Sequence, residues 1–130
     1  MRYFTEQELT DSNVAKRLGI WNWPNEQYIF DNLNALVDNI LDPAREKLGA
    51  PILVNSGWRC NELNIAVGGT KNSQHKTGNA CDITCSNLNK LWNILKTLEV
   101  DQCILYKKKN FIHVSYVTHR KNRNQYIINN

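Results

Sequence analysis

Residues 100–117 read VDQCILYKKKNFIHVSYV, and two apolar-rich runs stand in this stretch on either side of a short polar connection. The connection, residues 107–110, has the length of a β-hairpin loop. Short apolar runs that are rich in β-branched and aromatic residues are typical of strands. The stretch therefore predicts an antiparallel hairpin late in the chain, formed by residues 100–106 and 111–117.

The register of this hairpin decides which side chains share a face of the sheet. With an even loop, residues that oppose each other across the two strands point to the same side. One face then carries Gln102, Ile104, Tyr106, Phe111, His113 and Ser115. Asp101 belongs to the opposite face by the same alternation. His113 therefore shares its face with several side chains that can form hydrogen bonds.

Upstream of the hairpin the sequence predicts mainly helices. The clearest has apolar residues at three- and four-residue steps between Tyr28 and Leu41. Asp42-Pro43 is expected to stop this helix and begin another, because proline suits the first helical position and not the interior. Residues 52–54 resemble a short buried strand, and residues 80–84 can return as a second. A helical N-terminal half packed on a small, mostly antiparallel sheet is an α+β fold.

Length and composition limit what the protein can be. The chain has 130 residues and 42% of them are hydrophobic, which predicts a single domain over residues 1–130. We expect the last ten or so residues to form a basic polar tail. No apolar run approaches the ~20 residues that a membrane span needs. The N-terminus lacks the apolar core of a signal peptide, so we expect synthesis in the cytoplasm and action after release or export.

Basic residues are concentrated in two runs, residues 107–109 and 119–123, and the formal net charge is +4. Such runs are usually solvated surface. The alternative is attraction to a polyanion, either nucleic acid or an anionic cell wall. No helix-turn-helix, zinc-finger spacing or aromatic RNA-binding motif accompanies the basic runs. A nucleic-acid-binding protein is therefore only a secondary hypothesis.

Three potential metal ligands lie in the second half of the chain. His75 is in a polar loop, Asp82 in the strand after it and His113 in the hairpin. Two imidazoles and one carboxylate are a ligand set typical of catalytic zinc, and they leave a fourth position for water. By residue type alone, such a set also occurs without a metal. The remaining histidine, His119, lies about 20 Å farther along the strand direction and is expected at the surface.

Separated motifs in the chain resemble those of a known family. In chain order they are Ser56-Gly57-Trp58-Arg59, then Ser73-Gln74-His75 with Gly78-Asn79-Ala80-Cys81-Asp82, and finally Phe111-Ile112-His113-Val114-Ser115-Tyr116. They are similar to the SGYR-type turn, the SxHxxGxAxD metal motif and the WIHVSY-type late strand of the zinc D-alanyl-D-alanine carboxypeptidase family. These proteins are murein metallopeptidases with the hedgehog/D-Ala-D-Ala peptidase fold. The N-terminal half resembles the family's short branch, which phages and bacteria encode.

The resemblance implies an enzyme that acts on the bacterial cell wall. It would be a zinc metallopeptidase that hydrolyses D-amino-acid-containing peptide bonds of peptidoglycan, as a D-Ala-D-Ala carboxypeptidase or a cross-link endopeptidase, for instance a phage endolysin. His75, Asp82 and His113 match the family's ligands, which hold one zinc ion. The expected partner is a peptidoglycan peptide, bound by a monomer.

Several further residues are candidates for substrate binding. Arg59 matches the arginine of the SGYR turn and would bind a substrate carboxylate or carbonyl oxygen, which suits a planar and permanently charged guanidinium. Ser73 and Gln74 match the residues before the first metal ligand and are expected to contact substrate or orient that ligand. Gln102 and Ser115 are candidates because they share a face with the last ligand.

The resemblance does not supply a general base. Many relatives carry a Glu or Asp just before the last histidine ligand, or a Glu at the end of the preceding strand, where this chain has Asn110 and Tyr106. Tyr106 is the candidate for polarising water or stabilising an oxyanion, although a phenol with a pKa of ~10 is a poor base. A catalytically weak zinc module that binds cell wall is therefore the first alternative to a peptidase.

Overall fold

The computed structural model describes residues 1–130 and has an α+β fold. Its α-helices are α1 (Asn13–Leu18), α2 (Gln27–Leu36), α3 (Asp42–Leu48), α4 (Asn61–Ala66) and α5 (Leu88–Leu95). Its strands are β1 (Leu53–Ser56), β2 (Ala80–Thr84), β3 (Gln102–Tyr106), β4 (Phe111–Ser115) and β5 (Gln125–Asn129). None of the helices has the length and apolarity that crossing a membrane requires.

The five strands form one mixed sheet in the order β1-β2-β4-β3-β5. Neighbouring strands are antiparallel except β3 and β5, which are parallel. The predicted hairpin register is confirmed, because Tyr106 pairs with Phe111 and Ile104 pairs with His113. The sheet also pairs β2 with β4 and sets Asp82 directly opposite His113. This second pairing brings together residues that are 31 positions apart.

The two faces of the sheet have different environments. Alternate residues of the hairpin, such as Cys103, Leu105 and Ile112, are buried in a core that also contains Leu33 of α2 and Leu91 of α5. Of the residues between them, Ile104, Tyr106, Phe111 and His113 are only partly buried. The helices therefore cover one face, and the other face stays partly accessible at the hairpin.

The prediction for Asp42-Pro43 is confirmed in one part and wrong in the other: α3 begins at Asp42, but the preceding helix does not break there. Residues 37–41 form a π-helical turn that connects α2 to α3 without interruption, and the N–H of Asp42 donates to the carbonyl of Val37. Pro43 lies in the first turn of α3. A proline has no N–H to give to the preceding turn, and the wider π turn accommodates that loss without a break.

The predicted buried strand at residues 52–54 is also wrong in its burial. Ile52 is buried, but Leu53 is 61% exposed. The strand is β1, which lies at an edge of the sheet and has a register irregularity between Val54 and Ser56. An irregularity of this kind redirects the chain at the end of an edge strand.

The last residues form a strand instead of the predicted basic polar tail. β5 adds to the sheet edge beside β3 over its whole length. Tyr126 packs against the core, and its hydroxyl donates to the carbonyl of Leu98. Tyr126, Ile127 and Ile128 are the β-forming residues that stabilise this pairing. The basic run before these residues indicates a polar tail, and the short apolar run after it indicates the strand.

Candidate metal centre

His75, Asp82 and His113 converge on one point. One ligand atom from each lies within 4.8 Å of the other two. Asp82 Oδ1 is 2.9 Å from His113 Nδ1 and 3.4 Å from His75 Nε2. The two imidazole rings have their centroids 5.3 Å apart. The sequence prediction grouped these three residues, and the fold brings them together.

Each ligand reaches this point from a different element. Asp82 of β2 and His113 of β4 are paired across neighbouring antiparallel strands, so their side chains project from the same face. His75 lies in a short 3-10 helix, Gln74–Thr77, directly before β2. The Ser73 hydroxyl begins that helix by accepting a hydrogen bond from the His75 N–H at 3.2 Å.

A backbone carbonyl fixes the orientation of His75. The His75 Nδ1 lies 2.8 Å from the carbonyl oxygen of Gly57, and the side chain is buried. A carbonyl only accepts, so Nδ1 must carry the proton and Nε2 presents its lone pair towards Asp82. Histidine ligands of metals usually donate their second ring N–H in this way. The hydrogen bond therefore prepares His75 to bind a metal through Nε2.

The charge and donor chemistry of the three residues suit zinc. Burial alone would raise the pKa of Asp82, but the two imidazoles beside it, with His113 in direct hydrogen bond, outweigh burial and hold the pKa well below its usual range. The centre thus offers one ionised carboxylate oxygen and two imidazole nitrogens, the donor types of catalytic zinc sites. The neighbouring Cys81 lies in the core and outside this cluster, so it does not add a fourth ligand.

Gly57 has no room for a side chain, and this gives a first prediction. A β-carbon there would lie 2.0 Å from the carbonyl oxygen of Leu9, which accepts a hydrogen bond from the Trp58 N–H. Gly57→Ala should therefore displace the turn whose carbonyl holds His75. We expect a stability loss of about 1–3 kcal/mol in thermal or denaturant unfolding, together with weaker zinc binding in chelator competition.

Gly49→Ala is the matched control for that substitution. Gly49 has a φ of 69° but nothing within 4 Å of the added β-carbon. It should lower stability through backbone strain and leave zinc affinity unchanged. If Gly57→Ala binds zinc as tightly as the wild-type protein, the Gly57 carbonyl does not prepare His75.

Arg59 lies on the Asp82 side of the centre. It lines a cleft of about 560 Å³ together with Asp82 and Ser56. Its Nη1 donates to Asn64 Oδ1 at 3.1 Å, whereas its buried Nε has no hydrogen-bond partner. Burial lowers the pKa of the guanidinium, and the charge of Asp82 opposes that shift. A partly desolvated guanidinium with a free donor is suited to an anionic group of a ligand.

Most of the other candidate residues lie on the His113 side. Ser73, Gln74, Gln102 and Tyr106 line a second cleft with His113, of about 490 Å³. The Tyr106 ring also stacks on Phe111, with centroids 4.7 Å apart. The two clefts flank the metal candidates, and the substrate-binding candidates are divided between them.

Ser115 is a correction to the predicted substrate contacts. Its side chain has no exposed surface. Its hydroxyl accepts from the Gln102 N–H at 3.0 Å and faces the Gln102 carbonyl at 3.4 Å. The hydroxyl therefore acts as both acceptor and donor within the sheet, and Ser115 holds the beginning of β3 against β4. His119 is exposed, as the sequence predicts, and stays outside the metal cluster.

A second charged cluster was missed by the sequence analysis. Asp101 is fully buried and accepts hydrogen bonds from Arg120, Arg123 and the Gln74 side chain. Strand alternation predicts Asp101 on the face opposite His113, and the basic run of residues 119–123 predicts solvated surface. A carboxylate at the start of an apolar strand requires partners when it is buried, and this requirement is the signal that the sequence contains.

Comparison with known proteins identifies the family. No curated protein sequence matches the chain. The family model of Peptidase M15, a zinc-dependent family, matches residues 2–115, which include His75, Asp82 and His113. The match confirms the resemblance that the separated motifs indicate, and residues 116–130 lie beyond it. The chain therefore belongs to the Peptidase M15 family of metallopeptidases.

Proposed function

We propose that the protein is a zinc peptidase that hydrolyses peptide bonds next to D-amino acids in bacterial peptidoglycan, with a domain of the hedgehog/D-Ala-D-Ala peptidase type. The observation that carries the proposal is the convergence of His75, Asp82 and His113 to within 4.8 Å in a chain of this peptidase family. In the proposal these three residues hold one zinc ion, because two histidines and one aspartate are a ligand set typical of catalytic zinc.

The side chains around the centre have separate roles in this proposal. Zinc, when bound, polarises a substrate carbonyl and lowers the pKa of water towards neutrality. His75 is held in the required tautomer by Gly57, and Asp82 adds the negative charge that favours a cation. Arg59, anchored on Asn64, binds a substrate oxygen through its remaining donors. Its fixed position reduces the ordering that substrate binding requires.

The two clefts define how a substrate peptide lies across the metal centre in this proposal. A peptide that crosses the centre has one part beside Arg59 and the other beside Tyr106 and Gln102. If Arg59 binds a terminal carboxylate, the enzyme removes a C-terminal D-alanine. The Arg59 cleft continues to Glu8 and Asp11 of the N-terminal segment, which leaves room for a chain that extends past Arg59, as a cross-link endopeptidase requires.

Asn110 stands where the resemblance implies an acid in many relatives, and in this fold it serves the hairpin turn. It has a φ of 60°, and its carbonyl accepts from the Thr84 hydroxyl at 2.8 Å. Asparagine is among the few residues that adopt this left-handed conformation readily. The position therefore supplies no proton acceptor, and Tyr106 remains the polar group at the end of the same hairpin.

Tyr106→Phe tests whether the phenol acts as an oxyanion donor. We expect hydrolysis to slow by about 10²-fold with zinc content unchanged, because the variant removes a donor and keeps the ring. Phe111→Leu is the matched control, since it removes the stacking partner and keeps the hydroxyl. Steady-state rates of the zinc-loaded variants provide the measurement. An unchanged rate in Tyr106→Phe would show that the ring only packs.

Digestion of purified murein tests the proposed function, with mass spectrometry of the products. A carboxypeptidase releases D-alanine from pentapeptide stems, and an endopeptidase converts cross-linked dimers into monomers. Loss of either product after chelation links the reaction to the metal. One zinc ion per chain with no new product would instead favour a wall-binding module of low activity. This module is the second candidate because neither Asn110 nor Tyr106 supplies a carboxylate.

A further inference from the structure

Asp101 organises two arginines from the segment between β4 and β5. The Arg120 Nη1 and Nη2 donate to its two oxygens at 2.7 and 3.1 Å. The Arg123 Nε and Nη2 donate to the same oxygens at 3.1 and 2.8 Å, and the Arg123 backbone N–H adds a bond at 3.1 Å. Both guanidinium groups are therefore held in a two-bond geometry by one fully buried carboxylate.

This cluster has one net positive charge, since two guanidinium groups face one carboxylate. Burial alone would raise the pKa of Asp101, but hydrogen bonds from Arg120, Arg123 and Gln74 outweigh it and hold the pKa far below its usual range. The carboxylate therefore stays ionised, and the charge of the second arginine is not compensated. The side chains of Arg120 and Arg123 are 41% and 43% exposed, so solvent and ligands reach them.

The arginines line the His113-side cleft next to the metal centre. His113, Tyr106 and Gln102 contribute to the same cleft, and no acidic side chain does. The Arg120 Nε and the Arg123 Nη1 form no hydrogen bond within the chain, so each arginine keeps a donor for a ligand. Because Asp101 already orders both side chains, binding an anion there requires little additional ordering.

We propose that Arg120 and Arg123 form a second carboxylate-binding subsite, on the opposite side of the scissile bond from Arg59. The proposal rests on the peptidase function and adds its substrate class, a peptide with a carboxylate on each side of the bond that is cut. In peptidoglycan stems the free α-carboxylate of a γ-linked D-glutamyl residue has this chemistry. Both arginines lie beyond residues 2–115, so the subsite belongs to this chain's own C-terminal segment.

Two stem pentapeptides provide the test, one with the α-carboxylate of the γ-linked D-glutamyl residue and one with the α-carboxamide. Wild-type protein should cleave the carboxylate form with a kcat/KM about tenfold higher, mainly through KM, the size expected for a charged hydrogen bond at a partly exposed site. Arg123→Gln should reduce this preference to near one. The Arg123→Gln variant keeps the hydrogen bonds of Arg120 to Asp101, and its melting temperature shows whether it folds. If it does not fold, Arg120→Gln replaces it.

Lys121→Gln is the matched control. It removes the same charge from the same segment, but Lys121 is exposed and outside the cleft. This variant should keep the full preference for the carboxylate form. If it loses the preference as Arg123→Gln does, general surface charge explains the effect and the subsite is overturned.

Calorimetric titration with the same two peptides separates the subsite from the catalytic proposal. Tighter binding of the carboxylate form that Arg123→Gln abolishes supports the subsite even if neither peptide is cleaved, and in that case only the peptidase function fails. Equal affinity for the two peptides, or no binding of either, overturns the subsite whatever the rate of cleavage.

Discussion

Replacing His113 with alanine should remove zinc binding and hydrolysis together. The substitution deletes one of three candidate ligands and leaves two, and a catalytic zinc site of this type requires three from the protein. The His113 backbone pairing with Asp82 and Ile104 does not depend on the imidazole, so the sheet should persist. Loss of a group that only orients a metal ligand lowers metal affinity by up to about 100-fold. We expect the loss of the ligand itself to lower zinc affinity by more than that.

The measurement is zinc per folded chain by elemental analysis, with circular dichroism to establish folding. His75→Ala and Asp82→Ala should behave as His113→Ala does. His119→Ala is the control, because it removes an exposed imidazole that is not part of the cluster, and it should retain zinc. Full zinc occupancy in His113→Ala would contradict the assignment of the ligands.

Arg59→Lys should lose most of the activity while it keeps the fold and the zinc. An ammonium is a single point of charge and does not reproduce the planar fork of a guanidinium. The loss of transition-state binding should be about 2–4 kcal/mol, the range for removal of an oxyanion-stabilising group. The Arg59 backbone N–H, which donates to the His75 carbonyl at 3.1 Å, is unchanged by the substitution.

The comparison for this variant is kcat/KM on a stem pentapeptide at equal zinc loading. Arg17→Lys makes the same chemical change at an exposed position in the last turn of α1, outside both clefts, and should leave the rate unchanged. Unchanged turnover in Arg59→Lys would mean that the arginine serves the Asn64 contact and does not bind substrate.

The parts of the site that the sequence predicts depend on local rules. The hairpin register follows from strand alternation and an even loop, so Tyr106, Gln102 and His113 are correctly assigned to one face. The grouping of His75 and Asp82 with His113 came from motif resemblance, because the pairing of β2 with β4 is a long-range contact that no local pattern specifies.

The features that the sequence analysis missed depend on tertiary contacts. β5 is stable only beside β3, and a five-residue segment with exposed isoleucines does not indicate that pairing by itself. The burial of Asp101 follows from the same pairing, since the segment before β5 contributes the two arginines. The alternation rule puts Ser115 on the correct face, but it predicts only the face and not whether neighbouring elements cover the residue, so the burial of Ser115 is missed.

Zinc titration of chelator-stripped protein tests the central claim most directly, with hydrolysis of a stem pentapeptide as the readout. The account predicts no hydrolysis in stripped protein and a linear rise in rate that ends at about one zinc ion per chain, because three ligands and one open position make a single catalytic site. His113→Ala should show no rise over the same range. Full hydrolysis by zinc-free protein, or an equal rise in His113→Ala, would contradict the account.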